Sequence, residues 1–446
     1  VLPLAVSKRE EIRSDFLQGK IRPYELDKLL WREVYDEDPA LWAEACKQAS
    51  LMRLESLEFT LKIKLNAIRN HFVDISAVKR GSAVTAIEQQ IGGAVVPLGI
   101  AGPLKVRGEY AEGEFYLPLA TSEAALIAGM NRGCKIINES GGVRVKVTRE
   151  GMTRAPVIET PGIIDAYRLS QEIASRGDLY QTMKEAAESE STVSRLLDIQ
   201  VYQLGRHLWL RFVFQTGDSM GMNSATRYAA NAIRVLNERY SWARLVALSG
   251  NLCTDKKDAH INALLGRGKS VESELVIPRR CLLKSFSSEM DGAAAPVTPE
   301  RICRVNLIKN YEGSALAGSV TGFNANAANT IAAIFAATGQ DLAQVVESSS
   351  AFCHTEVTEK GDLYLGVSLP SLEVGTVGGG MEFGTARECL DILGCRGRGS
   401  APGDNAKRLA EIVAAAVTAQ ELNLLGTLAS EYELSESHIL LARGKK

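Results

Sequence analysis

Three stretches between residues 143 and 217 alternate apolar and polar side chains with a period of two: VRVKVT from Val143, LDIQVYQL from Leu197 and HLWLRFVFQ from His207. That period sends neighbouring side chains to opposite faces of a strand, so it predicts an antiparallel sheet with one buried and one wet face. Directly afterwards SATRYAANAIRVLNERY changes to helical spacing, which predicts a helix over 223–240 backing the sheet. Earlier in the chain, Leu29, Leu30 and Trp31 and then Leu51, Leu54, Leu57 and Leu61 recur at helical intervals among charges, as an amphipathic bundle or docking arm requires. Near the other end, AEIVAAAVTAQELNLLGTLA is the most apolar run. Glu411, Gln420 and Glu421 interrupt it, so it predicts a buried helix rather than a membrane span.

Glycine usage sharpens this division, because 38 of the 39 glycines follow residue 80. Long stretches rich in Gly, Ala and Asn, such as NYEGSALAGSVTGFNANAANTIAAIFAATG, bracket the alternating segment and resemble one another more than they resemble it. The expected class is therefore α+β: a helical N-terminal domain over 1–91, and a large domain over 92–147 and 248–446 interrupted by a small domain over 148–247. With 446 residues, 46% of them apolar and 23% charged, the chain has material for two or three such domains. The formal net charge of −2, without a long basic tract, excludes the electrostatic footprint of a nucleic-acid binder. Eight cysteines without a CxxC pair and five histidines without HExxH spacing encode neither a disulfide framework nor a local zinc site. A reducing, cytoplasmic setting is expected, with neither a signal peptide nor a membrane anchor expected in the given sequence.

GDSMGMN (217–223) joins the third alternating stretch to the helix and contains G-x-S-x-G. One reading is a hydrolase elbow with Ser219 as nucleophile, since Asp341 and His438 follow in the order of α/β-hydrolases. Against it, an elbow strand lies in a parallel sheet and is apolar on both faces, whereas His207, Arg211 and Gln215 alternate with apolar positions here. A second reading is an anion site, in which the helix N-terminus and the close backbone approach allowed by Gly221 suit a phosphate or pyrophosphate. A third is simple capping by Asp218 and Asn223. GKS at 268–270 imitates the end of a P-loop, but residue 263, where the motif needs its first glycine, is alanine. G-x-G-x-x-G after a strand is also absent, so any dinucleotide needs a non-Rossmann cradle.

Four ionisable residues lie in apolar or small-residue surroundings. Glu123 is the only charge from Leu119 to Asn131, Lys256 and Lys257 occupy the loop-like SGNLCTDKKDAHIN, Asp341 follows Gly339 as an N-cap would, and His438 lies close to the C-terminus. Bland readings exist for each: a first-turn glutamate, solvated loop charges, a cap and a tail residue. Together they supply a cation for an oxyanion, a proton donor, a second carboxylate and an imidazole for a leaving group.

The segments PLGIAGPL (97–104), PLATSEAALIAGMNRGCKII (118–137), GMTRAPV (151–157), GDSMGMN, SGNLCTDKKDAHIN (249–262), GRGKSV (266–271), NLIKNYEGSALAGS (306–319), FNANAANTIAAIFAATGQDLAQ (323–344), GTVGGG (375–380) and SHI (437–439) resemble, in order, those of the 3-hydroxy-3-methylglutaryl-CoA (HMG-CoA) reductases. The resemblance implies a large domain that binds HMG-CoA, interrupted by a small ferredoxin-like domain that binds the nicotinamide cofactor. It also implies a homodimer or homotetramer with shared active sites, and reduction of HMG-CoA to mevalonate and CoA by two NADPH through mevaldyl-CoA and mevaldehyde. By the same resemblance Lys256 stabilises the oxyanion, Glu123 donates a proton, Asp341 tunes both, and His438, on a C-terminal flap, protonates the departing thiolate. Asp218, Met220, Gly221, Met222 and Asn223 would line the cofactor, with Arg443 near its 2′-phosphate and Ser194–Arg195 as the match for an upstream Ser-Arg pair. Ser249, Asp255, Lys257, Lys309 and Asn329 match substrate positions. Lys146 is expected where many members place a substrate-gripping arginine, and EQQIG (88–92) stands for the family's E-N-x-x-G dimer contact. The match points to a soluble prokaryotic, archaeal-like member of the biosynthetic class.

Overall fold

The computed structural model describes residues 2–71, 87–286 and 296–430, with side chains from residue 6. His438 and Arg443 lie outside these. By contact the chain divides into two compact units, residues 1–97 with 379–389, and residues 98–378 with 390–446.

In the first unit, helices Leu2–Leu17, Leu26–Tyr35 and Trp42–Leu61 bury Ile12, Phe16, Leu26, Leu30, Ala45, Ala49 and Met52 together. Ala45, Ala49 and Met52 follow i, i+4, i+7 spacing and form the buried stripe of the third helix. Leu57 and Leu61, expected on an apolar face, are exposed instead. A buried ion pair joins Arg53 to Asp27, and Arg53 also donates to the carbonyls of Pro23 and Gln90, which satisfies its buried guanidinium.

In the second unit the strands are β1 Leu98–Arg107, β2 Glu112–Ala120, β3 Val143–Arg154, β4 Val157–Glu159, β5 Arg195–Leu204, β6 His207–Gln215, β7 Arg244–Ala247, β8 Gly268–Ile277, β9 Phe352–Val357 and β10 Leu363–Leu372. One sheet runs β2-β1-β3-β8-β10-β9, antiparallel except for the short β1–β3 pairing. A second joins β5, β6, β4 and β7 and the end of β3. β3 belongs to both, pairing with β8 from Arg144 to Gly151 and with β6 from Met152 to Arg154. The expected border between residues 147 and 148 therefore falls inside one continuous strand.

Leu208, Leu210, Phe212 and Phe214 of β6 face a core closed by helices Ile163–Ala174, Asp178–Glu188 and Met222–Arg239. The last of these is the helix expected over 223–240. The opposite face of β6 is not wet along its length. Arg211 is buried, donating to Gln200 Oε1 at 2.8 Å and to the Gly266 carbonyl at 2.7 Å, and burial lowers its pKa to about 10. Trp209 Nε1 donates to the Gly250 carbonyl at 2.8 Å. This second face thus carries the chain segments on either side of the DKK sequence.

Helix Asp404–Ala429 is long and apolar enough to cross a membrane, yet 89% of its most apolar window is buried in the protein. The charges that interrupt it have internal partners. Glu411 accepts backbone N–H groups of Tyr110 at 2.9 Å and Ala111 at 2.7 Å, and Glu421 accepts those of Ala325 and Asn326, each at 2.7 Å. Buried carboxylates are tolerated where such donors replace water.

Candidate functional site

The loop after β7 is held in an unusual backbone conformation. Asn251, Thr254 and Lys256 have φ of 63°, 56° and 59°, left-handed values that cost a residue with a Cβ on the order of 1 kcal/mol each. Neighbouring contacts over-determine the loop. The Gly250 N–H donates to the Ala155 carbonyl at 2.7 Å, Thr254 Oγ1 donates to Asn262 Oδ1 at 2.6 Å, and the Lys256 N–H donates to Glu347 Oε1 at 2.7 Å.

Several expected residues meet there. Lys256 Nζ lies 3.0 Å from Asp341 Oδ2, and this partner raises the lysine pKa above its ordinary value of 10.5. Asp341 sits where Gly339, with φ of 70°, ends helix Ala327–Thr338, and its Oδ1 caps the next turn through the Ala343 N–H at 3.1 Å. One carboxylate is thus both the expected N-cap and the partner of Lys256. Asp255 Oδ1 accepts from Arg267 Nη2 and Gln344 Nε2, each at 3.1 Å. Ser249 Oγ accepts from Arg154 Nη1 at 2.8 Å, and Lys257 Nζ donates to the Asp255 carbonyl at 3.0 Å.

The remaining substrate-side residues form a separate group. Asn329 Nδ2 donates to Glu123 Oε1 at 3.1 Å, and Lys309 Nζ reaches the Ala325 carbonyl at 3.4 Å from a π-helical turn, Asn306–Gly313. Glu123 precedes helix Leu126–Glu139 rather than lying in its first turn. Asn329 opens helix Ala327–Thr338 while Asp341 lies beyond its end, a separation of roughly 15 Å at the rise of an α-helix. Among the described residues, polar contacts thus join Lys256 to Asp341, Ser249 to Asp255 through Arg154, and Glu123 to Asn329. Among the described residues no hydrogen bond or ion pair joins Glu123 to Asp341.

Lys146 joins neither group. It is exposed on β3, ion-paired with Glu109, and lines a different hollow with Glu272, His354 and Ser368. The arginine that reaches Ser249 and stands 3.7 Å from Asp255 Oδ2 is Arg154, in GMTR. Strand pairing explains why: Lys146 stands eight residues before Arg154, in the part of β3 paired to β8, whereas Arg154 lies where the strand has crossed to β6.

At GDSMGMN the chain turns through Gly217 and Gly221, with φ of 61° and 89°, and opens helix Met222–Arg239 with no side-chain cap. A Cβ on Gly221 would meet Thr216 Cγ2 at 2.3 Å, and one on Gly375 would meet the Met220 nitrogen at 2.4 Å, so bare backbone is required at both positions. Asp218 does not present a free carboxylate. Its Oδ1 accepts the Ala406 N–H and its Oδ2 the Gly399 N–H, each at 3.1 Å, so it braces the turn. It also does not cap its own helix. Met220 packs on the small core, Met222 is buried with its Sδ 2.7 Å from Arg267 Nη2, and Asn223 is exposed. Ser219 lies in a backbone bridge to Val377, and Asp341, its supposed triad partner, is paired to Lys256. Arg195 folds back onto carbonyls of residues 191, 192 and 194.

Arg154, Arg267, Gln344, Glu347 and Glu373 were not singled out in the sequence. Arg267 is fully buried and bound to Glu347 Oε1 at 2.8 Å, to Glu373, and to Thr153 Oγ1 at 3.1 Å. Burial alone would lower its pKa, but the charges of Glu373, Asp255 and Glu347 raise it. Burial pushes the Glu373 carboxyl well above its ordinary range against the pull of Arg267, and raises Glu347 as well. The legible signal was local: an arginine between two glycines in GRG, and a glutamate inside the otherwise uncharged LAQVVESSSAF.

Comparison with known proteins matches a family model described as hydroxymethylglutaryl-coenzyme A reductase over residues 50–443. The 3-hydroxy-3-methylglutaryl-coenzyme A reductase of Aeropyrum pernix is 46% identical over 398 residues, covering 89% of this chain and 90% of that protein. Its counterpart in Pyrococcus horikoshii is 42% identical over 434 residues, covering 97% of this chain and 98% of that one. Among solved structures, a class II reductase from Streptococcus pneumoniae bound to NADPH in open conformations superposes with a TM-score of 0.61, covering 85% of this chain and 97% of that one. At 18% identity that likeness shows a shared fold. Nearly full-length identity above 40%, with a family model spanning most of the chain, places this protein in the hydroxymethylglutaryl-coenzyme A reductase family of oxidoreductases.

Proposed function

We propose that the chain reduces HMG-CoA to mevalonate and CoA with two equivalents of NADPH, through mevaldyl-CoA and mevaldehyde, in the cytoplasm. The observation that carries the reading is the Lys256–Asp341 pair, held at 3.0 Å on a rigid loop beside Ser249, Asp255 and Arg154. A cation fixed in place stabilises charge developing on a thioester or aldehyde oxygen without reorganising as the charge appears. Asp341 keeps Lys256 protonated and aimed. Arg154 offers the substrate's carboxylate a planar fork, with Lys257 and Lys309 as further cations.

Glu123, oriented by Asn329, donates a proton to the first alkoxide, takes it back as mevaldyl-CoA expels the CoA thiolate, and donates it to the alkoxide of the second reduction. Because Glu123 is bonded to Asn329 and not to Lys256 or Asp341 among the described residues, the reading takes a homodimer in which the partner subunit's Glu123 completes the site. His438 protonates the CoA thiolate and so prevents its return to the aldehyde. NADPH, when bound, supplies the hydride of each step. The N–H groups opening helix Met222–Arg239, with the close approaches at Gly221 and Gly375, suit its pyrophosphate and ring, and Arg443 suits its 2′-phosphate.

The test is oxidation of NADPH or NADH followed at the nicotinamide absorbance with HMG-CoA present. Consumption of two reduced cofactors per CoA released, faster with NADPH, supports the reading, and no HMG-CoA-dependent oxidation by either cofactor sinks it.

A further inference from the structure

GRGKSV imitates a P-loop and is no such thing, since Gly268, Lys269 and Ser270 are buried in β8. What the segment does build is a mount for Arg267. Gly266 and Gly268 both have φ of 74°, and a Cβ on Gly268 would meet the Leu372 carbonyl at 2.6 Å, so the chain kinks on either side of the arginine and drives it into the interior. Its guanidinium then touches parts of the molecule far apart in sequence: Thr153 before Arg154, Asp255 in the DKK loop, Gln344 after Asp341, and Glu347, Glu373 and Met222. Glu347 Oε1 accepts from Arg267 and also from the Lys256 N–H at 2.7 Å. That second bond falls on the residue whose side chain pairs with Asp341 and whose backbone is left-handed.

We propose that Glu347, fixed by Arg267, is a positioning residue that clamps the Lys256 backbone in its left-handed conformation and so holds the ammonium on Asp341. Without the clamp Lys256 loses the hydrogen bond that holds its left-handed backbone, and its end of the loop relaxes toward ordinary geometry while the Gly250 and Thr254 bonds remain. The clamp acts through the peptide of Lys256 rather than on substrate, so it governs turnover and not binding. This inference rests on the reading of Lys256 as the oxyanion-stabilising residue.

The test uses Glu347→Gln and Glu347→Ala in the full chain, with two readouts. Hydrogen exchange of peptides covering 251–257 is expected to quicken at least tenfold in Glu347→Ala while peptides from the helix Asp404–Ala429 keep their protection. The kcat should fall roughly 30-fold or more with the KM for HMG-CoA changed less than threefold. Glu347→Gln retains an acceptor for the Lys256 N–H but no charge for Arg267, so it falls between these limits and serves if the alanine variant does not fold. Unchanged exchange over 251–257 in both variants overturns the clamp, as does a kcat that stays at the wild-type value while the loop loosens. Lys256→Ala separates the two claims: if it keeps full activity the catalytic reading of Lys256 fails, while the exchange data still decide whether Glu347 holds the loop.

Discussion

Lys256 is paired with a carboxylate 85 positions away, which strengthens the hold on a proton the lysine already carries at neutral pH. Asp341 raises the lysine pKa above 10.5 chiefly by their hydrogen bond, so the protonated form is favoured in the folded protein. The stabilising part of that pair is present in full below pH 10.5 and is lost as pH rises through the raised value. Asp341→Asn is expected to lower kcat by about 100-fold or more, on the scale of a lost preorganised partner, and to move the alkaline limit of any residual activity to lower pH. A pH–rate profile of the variant checks both, and an unmoved alkaline limit would show that Asp341 does not set the lysine's charge. Ser219→Ala should leave kcat within about twofold, because the residue contributes backbone pairing to Val377 and no triad; a collapse in a steady-state assay would revive the hydrolase alternative. At this scale the types of the reacting groups were legible as isolated charges in apolar surroundings. The choice of Lys146 over Arg154 was not, because local sequence does not reveal where β3 leaves one sheet for the other.

Helices and turns position these residues through close backbone approaches. Helix Leu126–Glu139 lies against helix Asp404–Ala429 with so little space that a Cβ on Gly133 would stand 2.0 Å from the Ala419 carbonyl. Gly133→Ala must push the helices apart, which overpacks the core at a cost of about 1–3 kcal/mol and should lower Tm by several degrees in a calorimetric scan. Gly221→Ala meets Thr216 and has an unfavourable φ, so it deforms the turn at the start of helix Met222–Arg239. The KM for NADPH is expected to rise about tenfold or more while the KM for HMG-CoA stays within about threefold, measured by varying each at saturating levels of the other. An equal rise in both would place the damage elsewhere. Periodicity announced β6, the helix behind it and the long apolar helix. It misjudged the outer face of β6 because Arg211 and Trp209 are amphipathic enough to occupy a covered surface, where backbone carbonyls of Gly266 and Gly250 await their donors.

The proposed reading completes each site from two copies of the chain, with Glu123 paired to Asn329 and Lys256 to Asp341. Completing a site from two copies makes a prediction that no single-chain site shares. Glu123→Gln and Lys256→Ala are each expected to be inactive, yet mixing them under conditions that exchange subunits should restore about a quarter of wild-type activity, since half of the randomly formed dimers carry one intact site of two. No recovery in dimers shown by native mass spectrometry to be mixed would mean that each chain builds its own site. By itself the sequence determined what depends on near neighbours: the strand and helix periods, the glycine-poor helical beginning, the charges interrupting an apolar helix, and the ordered motifs that mark the family. Only the tertiary structure decided that Arg154 rather than Lys146 meets Ser249, that Asp218 accepts the Gly399 and Ala406 N–H groups, and that Arg267 and Glu347 fasten the Lys256 loop. The reason is physical: period and propensity act over a few residues, whereas a buried charge takes whichever partners the packed chain brings within hydrogen-bond reach, and those lie up to about a hundred residues or more away.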